Sequence, residues 1–127
     1  MPKQRILHLS TLVEKGACTQ QVNLFRELFG ESVTVTERRA VSVAGRFDLP
    51  WAASRLLSQT AWGEYQKTNT TAWYDCQRAI QTAWDRSYKT RQTSLNEYYK
   101  ARQTALDEYC KILARIFANL YINDTKE

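Results

Sequence analysis

Histidine is all but missing from this chain: among 127 residues there is one, His8. That removes most hydrolytic and metal chemistry, since a Ser–His or Cys–His nucleophile pair would have to be built on it and a metal site needs several ligands converging. Cysteine is scarce too. Cys18, Cys76 and Cys110 are an odd number without CxxC spacing, which argues against a disulfide framework or zinc site and suits free thiols in a reducing compartment. Cys76 and Cys110 read as small buried hydrophobes. Both prolines come before residue 51, and the last of the four glycines is Gly63. There is accordingly no glycine-rich phosphate loop, and beyond Gly63 neither helix-breaking residue occurs. No apolar run has the length of a signal peptide or membrane span, so the expected location is the cytoplasm. Paired acids such as Asp107 and Glu108 point to different faces of one helix and read as solubilising charges. No catalytic residue, cofactor or metal site is expected, and the chain reads as non-enzymatic.

What the chain has instead is repetition. From Ala61 to Arg115 an eleven-residue unit occurs five times without a gap: AWGEYQKTNTT, AWYDCQRAIQT, AWDRSYKTRQT, SLNEYYKARQT and ALDEYCKILAR, with a degenerate sixth, IFANLYINDTK, behind them. Eleven residues fit three helical turns at about 3.67 residues per turn, so a face set by one unit stays in line with the next. At about 100° per residue, positions one, two, five and eight share roughly a third of the helix circumference. Position one places Ala61, Ala72, Ala83, Ser94 and Ala105 there, and position two Trp62, Trp73, Trp84, Leu95 and Leu106. Position five adds Tyr65, Cys76, Ser87, Tyr98 and Tyr109, and position eight Thr68, Ala79, Thr90, Ala101 and Ile112. A large side chain always sits beside a small one.

The opposite face is charged. Position seven reads Lys67, Arg78, Lys89, Lys100, Lys111, and an acid precedes it by three residues in four of the five units. Such pairs help a helix by only a few tenths of a kcal/mol; their main effect is to keep that face wet. An amphipathic helix of this length needs something to cover its stripe.

Composition bounds the rest. One domain's length with 43% apolar and 24% charged residues is ordinary for a soluble protein and excludes disorder. The net charge of +5 invites a nucleic-acid reading. The excess is spread thinly, however: eight basic and five acidic side chains in residues 1–60, nine and six in 61–121. A dedicated nucleic-acid binder concentrates its charge in a patch or arm.

In chain order, Met1 to Leu9 reads as a frayed arm or first helix. Thr11 and Glu14 have capping-box spacing before Gly16, which predicts a turn or two of helix near Thr11 to Lys15. Val22, Phe25 and Phe29 share a helical face that ends at Gly30. Val33 and Val35 alternate with polar neighbours over Ser32 to Thr36, too short for a sheet without partners, so a lone extended segment is expected. Thr36 can cap a short helix Glu37 to Ala44, ended by Gly45. Asp48 followed by Pro50 is a stronger start. From there a helix could run from about Leu49 to about Asn119, on the order of 100 Å at about 1.5 Å per residue, with a kink possible near Ser58–Thr60 or Gly63. Residues 1–57 would form a small helical head whose core includes Trp51, Leu56 and Leu57.

The expected fold is therefore all-α: a head over residues 1–57, a hendecad coiled-coil stalk over 58–121 formed by one long helix, and a flexible tail over 122–127. Three coverings for the stripe compete. Sister helices would give an eleven-residue-register coiled coil, in which small residues allow close approach while Trp or Leu fills the gaps. The interface would comprise Ala61, Trp62, Tyr65, Ala72, Trp73, Cys76, Ala83, Trp84, Leu95, Tyr98, Leu106, Tyr109 and Ile112. A membrane surface is the second, favoured by Trp and Tyr but opposed by the Ala- and Thr-rich stripe and mixed-sign polar face. Nucleic acid is the third, opposed because the Trp and Lys rows lie on separated faces.

Gly16-Ala17-Cys18, Gln21-Val22, Leu24-Phe25, Phe29-Gly30, then Trp51-Ala52-Ala53 and Leu56-Leu57, followed by Ala-Trp-x-Glu-Tyr units, resemble a group of small uncharacterised bacterial and phage proteins, some loosely labelled immunity proteins. The resemblance implies a bacterial or phage origin and a variable number of repeats, and brings no binding residues with it. The reading is a homo-oligomeric scaffold or interaction module, the head offering a surface for a host or phage protein. The alternatives are a phage-encoded inhibitor docking its aromatic face on a host protein and an amphipathic membrane-surface helix.

Overall fold

The computed structural model describes residues 4–90 and 95–124. Among them are six helices and two three-residue strands, so the chain is mostly helical as expected.

The head forms from local signals that are nearly all used. β1 (Ile6–His8) leads directly into α1 (Leu9–Glu14). Gly16, with φ +89°, ends α1. The Gly16 and Ala17 amides reach back to the carbonyls of Val13 and Leu12, the reciprocal pair that closes a helix through a left-handed residue. α2 (Thr19–Phe29) buries Phe25 and stops at Gly30. After β2 (Ser32–Thr34), Thr36 caps α3 (Glu37–Ser42), its hydroxyl accepting from the Arg39 amide at 3.1 Å. Asp48 caps α4 (Leu49–Leu56), accepting from the Trp51 amide at 3.0 Å, with Pro50 in the first turn.

Three expectations for the head are corrected. Ser32 to Thr36 is not a lone extended segment, and Met1 to Leu9 is neither an arm nor a helix where it is described. The two meet as an antiparallel pair with Leu7 opposite Val33, lengthened by bonds from Val35 to Arg5 and from Leu9 to Glu31. The pair holds because Leu7 and Val35 are buried in the core. The Thr11–Glu14 spacing does not act as a capping box, because α1 starts two residues earlier, at the end of β1.

The larger correction concerns the rod. No single helix runs from Leu49 to Asn119. Leu57 is extended (φ −89°, ψ 151°), the Ser58 hydroxyl accepts from the Ala61 amide, and α5 (Gln59–Thr90) begins there. α6 (Leu95–Asn123) then packs along α5. Trp73 meets Tyr109 and Trp84 meets Tyr98; the partners advance in opposite senses, so the two helices are antiparallel. The repeats form a helical hairpin whose first covering is its own other half.

The returning helix also completes the head. A head of this size would be marginal alone, and the last three turns of α6 enlarge its core. Leu113, Ala114, Phe117, Ala118 and Tyr121 are buried in one cluster with Leu9, Phe25 and Leu49. Leu57 is in this core, with Trp51 and Leu56 packed against it. The degenerate sixth repeat is thus the segment that enters the head. Arg5 fastens its end, donating to the Tyr121 carbonyl at 2.9 Å and lying 3.9 Å from the centre of that ring. Asp124 ties the opposite junction, its carboxylate accepting from the Ser58 amide at 2.6 Å. Of the expected tail, Ile122 and Asn123 are helical, and residues 125–127 lie outside the described residues.

Candidate interaction surface

The seam of the hairpin is built from the small side chains of repeat position one and the mixed ones of position five. Ala61, Tyr65, Ala72 and Cys76 are buried, and Trp62, Ala83, Tyr98, Leu106, Tyr109 and Ile112 are half-buried. Tyr109 donates its hydroxyl to Asn69 Oδ1 across the seam. Burial raises the pKa of the Cys76, Tyr109 and Cys110 side chains above their ordinary values, which favours their neutral forms.

Tyr65 marks where hairpin meets head. It is 1% exposed, stacked on Trp62 with ring centres 5.6 Å apart, and its hydroxyl has no hydrogen-bond partner among the described residues. Loss of water is the main reason its pKa rises well above the usual tyrosine range, with Tyr109, Asp48 and Cys110 adding to the effect.

The remaining predicted interface residues are not covered. Trp73, Trp84 and Leu95 are 44%, 46% and 55% exposed. Each tryptophan packs edge-to-face with a tyrosine ring, with centres 5.2 Å apart in each pair and planes at 62° and 72°. Two helices can cover each other along one line only, and position two falls to the side of that line. Tyr74, Tyr88 and Tyr99 add to the exposed aromatic surface of the same hairpin. Exposed apolar patches on folded proteins mark contact sites.

The other side of the seam carries a feature that the repeat pattern did not single out. A groove of about 470 Å³ runs between α5 and α6, floored by Ala72, Ala79, Ala83, Ala101 and Ala105 and edged by Asp75, Arg86 and Glu108. Positions one and eight supply its floor. No family model, curated protein or solved structure matches the chain. What the surface can do must therefore be argued from its own chemistry.

Among the described residues no group of three or more His, Cys, Asp or Glu side chains could hold a metal ion, and no helix is long and apolar enough to cross a membrane. His8 is exposed at the start of α1, far in sequence from either thiol of the hairpin. The acid–base pairs predicted on the polar face appear as Glu64–Lys67 at 3.4 Å and Glu108–Lys111 at 3.9 Å, all four side chains largely in solvent. The head holds a second cavity, of about 80 Å³, walled by Phe25, Phe29, Phe47 and Trp51. The polar residues at its edge are already engaged: Gln21 bonds Arg46 and Asp48, and Arg39 bonds Thr34. The rest of its lining is mainly apolar.

Proposed function

We propose that the protein is a non-enzymatic, self-associating interaction module, the α5–α6 hairpin being the element through which copies assemble. One observation carries the reading: Trp73, Trp84 and Leu95 remain about half exposed although the hairpin has already folded on itself. Burying a side chain of this size is worth about 1.5–3 kcal/mol. All three are already about half covered, so burying the rest is worth about half of that for each, which favours association. The head, closed by α6, is then the part left to carry a partner-specific surface, consistent with the resemblance to small bacterial and phage proteins.

Size-exclusion chromatography with light scattering tests the proposal. The wild-type chain is expected to run as an oligomer, and replacing Trp73 and Trp84, the exposed pair, by Ser to dissolve it while the fold is kept. A helical wild-type chain that stays monomeric, with its tryptophans open to solvent, would instead favour docking of the aromatic face on a foreign protein.

A further inference from the structure

The two long faces of the hairpin are unlike each other. On one, Trp73 and Trp84 stand half exposed, one repeat apart and so about 16 Å along the axis. On the other lies the alanine-floored groove. Its floor comes from positions one and eight of the same repeat, so the depressions recur at the spacing of the tryptophans. Charge is opposed as well. On a wheel of about 100° per residue, Arg102 falls on the tryptophan side of α6, between the two aromatic pairs. Asp75 and Glu108 stand at the groove edge, with Arg86 toward its far end.

These features rank the ways two copies can meet. Ridge against ridge places Arg102 near its own copy, and groove against groove leaves the tryptophans of both copies uncovered. Like charges across a contact oppose it. Ridge against groove joins large to small and base to acid.

We infer that the Trp73–Trp84 ridge of one chain seats in the alanine groove of a second copy, with Arg102 facing Asp75 and Glu108. The inference rests on the self-association proposed above and adds which surfaces meet. It has a topological consequence. Ridge and groove lie on opposite faces, so the contact is head-to-tail rather than two-fold, and every copy added presents a fresh ridge or groove. Assembly then grows with concentration instead of stopping at two.

Two variants, each removing one half of the contact, test this in sedimentation velocity. Trp73→Ser with Trp84→Ser removes the ridge. Ala79→Gln with Ala101→Gln fills the groove at two exposed positions outside the seam. Wild type is expected to exceed a dimer as concentration rises. Each variant alone should lose association by about ten-fold or more, the loss typical of removing an anchor, while keeping its helical circular dichroism. An equimolar mixture should form a one-to-one pair and go no further, because it contains one intact ridge and one intact groove. As a second measurement, Arg102→Glu should weaken assembly, and Asp75→Lys with Glu108→Lys in the same chain should restore it.

A wild-type chain that is monomeric throughout removes both this inference and the proposed function. A wild type that stops at a dimer, a variant that still associates alone, or a mixture that fails to pair overturns the ridge-in-groove contact and leaves self-association standing.

Discussion

Replacing Tyr65 by Phe should make the protein more stable, the reverse of the usual effect of a core substitution. The ring is almost wholly enclosed and its stacking on Trp62 survives the change, whereas the hydroxyl has no partner among the described residues. A buried polar group without a hydrogen bond costs about 1–3 kcal/mol. Some of that cost returns as a small void where the oxygen was, so the net gain is about 1 kcal/mol. For a chain of this size, that raises Tm by about 4 °C. The pH dependence gives a second signature. The folded state holds the Tyr65 pKa above its ordinary value of 10.0, chiefly through burial. The neutral form is the one the fold favours, so this contribution is intact below about pH 10 and is lost as pH rises beyond it. Thermal melts at pH 7 and at increasing pH above 10 should show the variant ahead at neutral pH and its lead widening in alkali. A Tyr65→Phe chain that melts lower than wild type at pH 7 would show that the hydroxyl is satisfied, and the account of the head–hairpin junction would be wrong.

Phe117→Ala should cost about 3–5 kcal/mol, a large part of the 5–15 kcal/mol a domain has, and head and hairpin signals should be lost together in denaturant. Two separate transitions would mean that α6 does not complete the head core. Asp48→Ala should cost about 1 kcal/mol through loss of the α4 cap, read from chemical denaturation, with Asp48→Asn recovering most of it. Replacing Lys67, Arg78 and Lys89 by Gln should leave the sedimenting species unchanged; dissociation would mean that the solvent and contact faces have been exchanged.

Most of the head's helices were legible because their signals are local. Asp48 with Pro50, Thr36, Gly16 and Gly30 each fix a turn within a few residues of themselves, and the observed helices start or stop there, whereas α3 ends at Ser42, ahead of the expected stop at Gly45. The β1–β2 pairing was not legible. Each strand has three residues, and neither has enough alternation to declare itself without the other. In the repeats, the period fixed which residues share a face but not what that face meets. A second stretch of the same chain satisfies an eleven-residue stripe as well as another molecule does.

The passage from α5 to α6 contains neither proline nor glycine, which is why one long helix was expected. Two weaker signs were present. Position two changes from Trp62, Trp73 and Trp84 to Leu95 and Leu106, and the change falls between the two helices. Ser94 and Glu97 also have the spacing of a helix-starting capping box, although Ser94 itself lies outside the described residues. Of the thirteen residues predicted for the interface, the hairpin itself buries or half-buries ten and leaves Trp73, Trp84 and Leu95 exposed. The alanine groove went unseen because it exists only once two helices lie side by side.

The measurement that bears most directly on the account is acrylamide quenching of tryptophan fluorescence, followed from dilute to concentrated protein alongside the sedimenting mass. Trp73 and Trp84 should become protected as the mass rises, and a chain lacking both should show no such change. Quenching that stays constant while the mass stays that of one chain would contradict the claim that copies of this protein cover the hairpin.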